Sequence, residues 1–329
     1  MAEPNLSRTG PGPQSDSELR DGTGLHDGTE LRSGPRPPHG RLWTYRGSRK
    51  LPSAWLLGSG TLFWSLAVLV VVAVYALLAP ALAGTDPRLT DFASADLPPS
   101  SAHWFGTDLS GRDLFERTAS GLRVSLVIAV VCAITSSVLG LAIGVAAGAL
   151  GGRSDRIVMR LVDGVNALPP LLVGIVVVAL YPGNILAIIA SIALTHWTQV
   201  ARIARAEVRT ARTAAYVEAA RLAGASRLRV TATHLVPAAS GQALVAVVLL
   251  LPHAIWHEST LSFLGLGLPP DRASLGTLLQ DARAAVLTGS WWTLTFPALA
   301  LVVTTLAVAG AGAALRDRIT PPLPERAVR

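Results

Sequence analysis

Half of the 329 residues are hydrophobic and only 15% are charged, and the apolar runs reach the roughly 20 residues a helix needs to cross a bilayer, which excludes an ordinary soluble domain. A net charge of +7 would suggest nucleic acid in a soluble chain, but nearly all of it is arginine beside apolar spans, where it acts as a topology signal. Cys132 is the only cysteine, so neither an intrachain disulfide nor a cysteine metal cluster can form. The expected class is an all-α polytopic membrane protein.

In chain order, residues 1–53 are rich in Gly, Pro, Ser and Asp without hydrophobic periodicity, and are expected to form a disordered tail. Its last part, Arg41 to Lys50, is a basic strip carrying Trp43 and Tyr45, which suits either lipid headgroups or a solvated linker. Residues 54–83 predict the first transmembrane helix. The run ends in Ala81-Leu82-Ala83, like a signal-peptidase site, yet it exceeds the about 7 to 15 residues of a secretory apolar region, so an uncleaved helix is expected. An external segment, 84–123, precedes a core of five further helices over 124–317. These spans read as Val124 to Leu150, Ile157 to Leu180, Ile185 to Val200, Ser240 to Trp256 and Leu294 to Leu315, with a second tail at 318–329.

Six spans with the amino terminus inside put Arg153, Arg156, Arg160, the cluster Arg202 through Arg229, Arg316 and Arg318 in the cytoplasm. That agrees with the positive-inside bias and predicts both termini to be cytoplasmic. In the second span Gly140, Gly144 and Gly148 form a smooth strip for close helix packing, against either this chain or a second subunit. Arg202, Arg205, Arg209 and Arg212 share one helical face and are expected to meet phospholipid headgroups. The face lacks interleaved aromatics, so nucleic acid is not a partner. Asp163 and Asn166 are read as bonding between helices, with solute contact as the other reading.

The cytoplasmic loop 203–238 contains the chain's most informative segment, Tyr216 to Pro237, YVEAARLAGASRLRVTATHLVP. Good helix formers run to Leu222, Gly224 stands where a left-handed stop is wanted, and Ser226 can cap a second short helix. This predicts a helix-turn-helix outside the bilayer. It resembles the coupling loop of ABC importer permeases, whose short helix inserts into a groove on a separate ATPase. Three more segments resemble the dipeptide, oligopeptide and nickel permeases of that group: His103 to Leu126 (HWFGTDLSGRDLFERTASGLRVSL), Ile157 to Leu172 (IVMRLVDGVNALPPLL) and Glu258 to Pro270 (ESTLSFLGLGLPP). Trp291, Trp292, Phe296 and Pro297 lead into a last span that also fits the pattern. Val236, Leu275 and Ala313 depart from it, standing where Leu, Trp and an acidic residue are usual.

The resemblance implies a type I ABC importer permease fold and a transport subunit rather than an enzyme. Its implied partners are a second permease, two ATPase subunits, an extracytoplasmic solute-binding protein and membrane lipid. No cofactor is implied in this chain, because ATP and Mg would be bound by the ATPase; the sequence has no GxxxxGK[ST] phosphate loop. In the loop, Glu218 is implied as the charged contact, Ala219 and Ala220 as allowing close approach, Gly224 as the bend, and Tyr216 and Leu222 as apolar anchors.

Cargo is less specified. His253 and His257 share a helical face near the outer end of the fifth span, Glu258 follows at once, and His196 lies in the fourth span. Imidazoles suit a transient metal ion, and the nickel branch is similar here, so nickel and short peptides remain the two alternatives. A structural role for these histidines is the third. An ion-coupled secondary transporter is disfavoured by spans nearly free of acidic residues, and a metalloprotease by the missing Glu of HExxH.

Overall fold

The computed structural model describes residues 54–83, 90–269 and 272–319; the expected tail at 1–53 with its basic strip and most of the tail at 318–329 lie outside them. Ten α-helices occur among the described residues: α1 (Ala54–Ala83), α2 (Leu114–Leu150), α3 (Gly152–Asn166), α4 (Pro170–Leu180), α5 (Ile185–Ala211), α6 (Ala215–Leu222), α7 (Arg227–Val230), α8 (Val236–Phe263), α9 (Leu275–Leu287) and α10 (Trp292–Ile319). Five helical stretches are long and apolar enough to span a membrane: Gly60–Ala81, Leu114–Leu150, Ile185–Ala211, Arg227–Phe263 and Trp292–Ile319.

The expected third span is not one helix. It is split into α3 and α4, which are bent by 78°, so a count of six holds only if the bent pair is one span. Pro169 and Pro170 cause the break: neither has an N–H to donate, and Pro169 holds an extended backbone from which Pro170 starts α4. Of the other boundaries, two move furthest. The second helix starts at Leu114 rather than Val124, because the Asp113 side chain accepts from the amides of Phe115 and Glu116 and caps it there. At 37 residues, α2 is about 55 Å long, well beyond a hydrocarbon core of about 30 Å, so its ends stand clear of the apolar layer. The fourth helix likewise continues past Val200 to Ala211.

The glycine strip lies within this chain. A Cβ at Gly140 would strike Trp197 and Val200, at Gly144 Ala201 and Ala204, and at Gly148 Val208, so α2 and α5 pack backbone to backbone. The arginine face of α5, expected at headgroups, also forms a seam within the chain through Arg202, Arg205 and Arg212, while Arg202 and Arg209 stay exposed. Arg205 makes a two-pronged ion pair with Asp155, Arg202 reaches Asp163 at 2.7 Å, and Arg212 donates to the Gly148 carbonyl at 2.6 Å. Thr198 donates to Asn166 at 2.7 Å. Asp163 and Asn166 therefore hold α3 on α5.

The far end of the bundle is built by the segment before α2 together with α9, a helix not expected from the sequence. Ser274 and Thr277 form a reciprocal capping box that starts α9. Buried Arg117 pairs with Asp108 and, at 3.3 Å, with Asp281 of α9, while Arg112 reaches Asp108 at 2.8 Å. Phe105 stacks on Phe296 at 4.1 Å, and Trp292 donates to the Thr107 carbonyl at 3.1 Å, tying the segment to α10.

Candidate functional site

Two regions carry the residues singled out for function. At one end, α6 and α7 form the expected helix-turn-helix. Helix α6 stops in a Schellman arrangement: the Ala225 amide donates to Ala220 and the Gly224 amide to Arg221, both at 3.0 Å, with Gly224 at φ +86°. An added Cβ at Gly224 meets nothing within 4 Å, so glycine is used there for its backbone conformation. Ser226 then accepts from the Arg229 amide at 3.3 Å and starts α7.

A π-helical turn, Thr231–Leu235, joins α7 to α8. Pro237 cannot donate to the carbonyl four residues back, and the wider turn absorbs that missing bond. One consequence is alignment. Val230, Leu235 and Ala239 fall on one buried face with Val217, against Val145, Ala204, Val208 and Ala211. Val217 is thus the peg that holds α6 to the bundle. Spacing alone did not reveal it, because Val217 sits in an eight-residue helix whose buried partners come from α2, α5, α7 and α8.

With Val217 turned inward, the rest of α6 faces solvent. Glu218 and Ala219 are exposed and Ala220 is half-buried. Tyr216 is 53% exposed, Leu222 85% and Leu228 80%, an unusual set of bare apolar side chains beside a charged residue. Tyr216 rests edge-on against His234 with centroids 5.7 Å apart. The expected anchors Tyr216 and Leu222 are available, and Leu228, not anticipated, joins them.

The second region lies on α5 and α8. The His196 and His257 rings meet edge to face at 4.8 Å between centroids, and His253 lies 6.5 Å from His196. His196 is buried and His253 exposed. Glu258 does not join them. It is fully buried on the other side of α8, accepting from Ser125 at 2.8 Å and Ser262 at 2.9 Å, since a residue one position on points about 100° away. Glu258 is a buried, hydrogen-bonded residue here and is not brought together with the three histidines. Among the described residues no group of three or more His, Cys, Asp or Glu is placed to hold a metal ion.

Residues 140–321 match the family model described as binding-protein-dependent transport system inner membrane component. Similar proteins include the oligopeptide transport system permease protein OppC of Bacillus subtilis, 39% identical over 258 residues that cover 78% of this chain and 84% of the relative. The dipeptide transport system permease protein DppC of the same organism is 38% identical over 256 residues, 78% and 80%. OppC of Escherichia coli K12 is 42% identical over 259 residues, 78% and 85%. The chain belongs to this permease family. It is therefore a multi-pass inner-membrane subunit of an ABC importer and not an enzyme; permeases of this type work with a second permease, separate ATPase subunits and a solute-binding protein. Membership sets aside the ion-coupled alternative.

Proposed function

We propose that this permease carries short peptides inward and takes its driving force from an ATPase docked on α6 and α7. The observation that carries the coupling reading is the division of labour across α6 and α7: Val217 fixes α6 to the bundle while Glu218, Leu222 and half of Tyr216 on α6, and Leu228 on α7, stand in solvent. An amphipathic helix presented this way suits a helix-in-groove contact. The arginine partition supports a cytoplasmic position for the loop and for both termini, where an ATPase would meet it.

Peptide cargo is supported by the relatives, which are named as oligopeptide and dipeptide permeases. Nickel, the other cargo considered, draws no support from them or from the histidine geometry. His196, His253 and His257 remain the candidate path residues.

The coupling reading is tested with Glu218→Lys and Gly224→Asp in the complete importer. Both should stay in the membrane at close to normal abundance, because Glu218 is exposed and the space beside Gly224 is open, and Asp tolerates the left-handed region better than most residues. Peptide uptake should be abolished. Normal uptake at normal abundance would remove the docking argument.

A further inference from the structure

We propose that His196, His253 and His257 form an acceptor cage for the α-ammonium group of a peptide in transit, an inference that rests on the peptide-permease reading above. Each Nδ1 lies beside the carbonyl of the residue four positions earlier: His196 to Ile192 at 2.9 Å, His253 to Leu249 at 3.2 Å, and His257 to His253 at 2.9 Å. A carbonyl oxygen can only accept, so the proton in each ring sits on Nδ1. The neutral ring then presents Nε2 as a lone pair.

Among the described residues no hydrogen bond is made by any of these three Nε2 atoms; the other polar contact in the set, Thr195 to His196 at 2.9 Å, also falls on Nδ1. Two facing helices thus bring together three acceptors that meet no donor among the described residues. Polar groups in an apolar bundle need partners, so the cage calls for a ligand that donates. A primary ammonium has three N–H donors and a positive charge. A peptide carboxylate would oppose lone pair with lone pair, which assigns the cage to the amino end of the cargo.

Position agrees with that role. His196 lies about 16 Å along α5 from Ile185, inside a helix long and apolar enough to span a membrane. Exposure rises from His196, 6% exposed, through half-buried His257 to exposed His253, so the cage opens on a face that the described residues leave uncovered.

The test compares two double variants, His253→Leu with His257→Leu and His253→Gln with His257→Gln, in the full importer with its binding protein in proteoliposomes. Leucine removes the acceptors, and glutamine restores one at each position. With tri-alanine as the probe, the leucine pair should raise the KM of uptake about tenfold or more, while the glutamine pair stays within about threefold of the unsubstituted protein. Assembly is checked by the ATPase activity of each complex. Equal KM values in the two double variants, or no change in either, overturn the cage and leave a packing role. Loss of nickel-63 uptake in both pairs, with tri-alanine uptake intact, overturns it in favour of a metal path. If the unsubstituted importer moves no peptide at all, the peptide reading itself has failed, and that result is seen before any variant is made.

Discussion

The segment His103 to Arg117 and the loop Tyr216 to Gly224 are both strongly family-like in sequence, yet the fold uses them in opposite ways. In the first, polar side chains are consumed inside the protein. His103 pairs with Asp113 at 2.8 Å, Asp113 caps α2, Asp108 accepts from the Ser110 and Arg112 amides, and Arg117 is 2% exposed between two carboxylates. In the second, Val217 alone is buried, and the charged and large apolar residues face outward. A recognisable motif therefore marks either architecture or contact with something else, and what separates the two is whether its hydrogen-bonding groups are already satisfied.

The sharpest way to break this comparison is at Arg117. Arg117→Met keeps much of the side-chain volume but leaves Asp281 and part of Asp108 without their buried cation, which should cost about 3 to 5 kcal/mol. Membrane abundance should fall steeply, with uptake falling in proportion. Unchanged thermal stability in detergent would show that the far-end network is not structural and would dissolve the contrast with α6.

A smaller effect is expected at the peg of the coupling loop. Val217→Ala removes two buried carbons at a 0% exposed position and should lower stability by about 2 kcal/mol, with faster hydrogen exchange confined to α6 and α7. Exchange that accelerates throughout the bundle, or not at all, would mean that Val217 does not hold this helix. Glu218, one residue on, should show the reverse pattern, with uptake lost and exchange unchanged.

What the sequence made legible follows from the range of the physics involved. Apolar runs, Gly224 and Ser226 act locally, and the helices, the left-handed stop and the cap occur where the residues indicate them. The break at Pro169 and Pro170 was written in the chain, but a continuous apolar reading ran over it. Helix α9 carried a readable Ser274–Thr277 box, yet it is short and only partly apolar, so hydropathy passed it by. Glu258 and the arginine face were out of reach for another reason. Their partners, Ser125 for Glu258 and Asp155 for Arg205, stand 133 and 50 residues away, and only tertiary packing shows that these two charged side chains are paired within the chain.

The finest distinction lies within the far-end network, between the cation and one of its carboxylates. Burial holds the Asp281 carboxyl above its usual range, against the opposing pull of Arg117 and Arg112. A group whose pKa rises on folding supports the fold most fully below its unfolded value, near pH 4, and loses that support as pH rises through the folded value. Once ionised, Asp281 is thus a small net burden. Because its side chain is 38% exposed, solvent screening limits the burden to less than about 1 kcal/mol. Asp281→Asn should leave thermal stability equal or slightly raised at pH 7, and the difference from the unsubstituted protein should vanish as pH falls toward about 4. Arg117 keeps Asp108 in that variant, so its guanidinium is not stranded. A clear loss of stability at pH 7 would show that Arg117 needs both carboxylates, and that the ion pair to α9 outweighs the cost of burying Asp281.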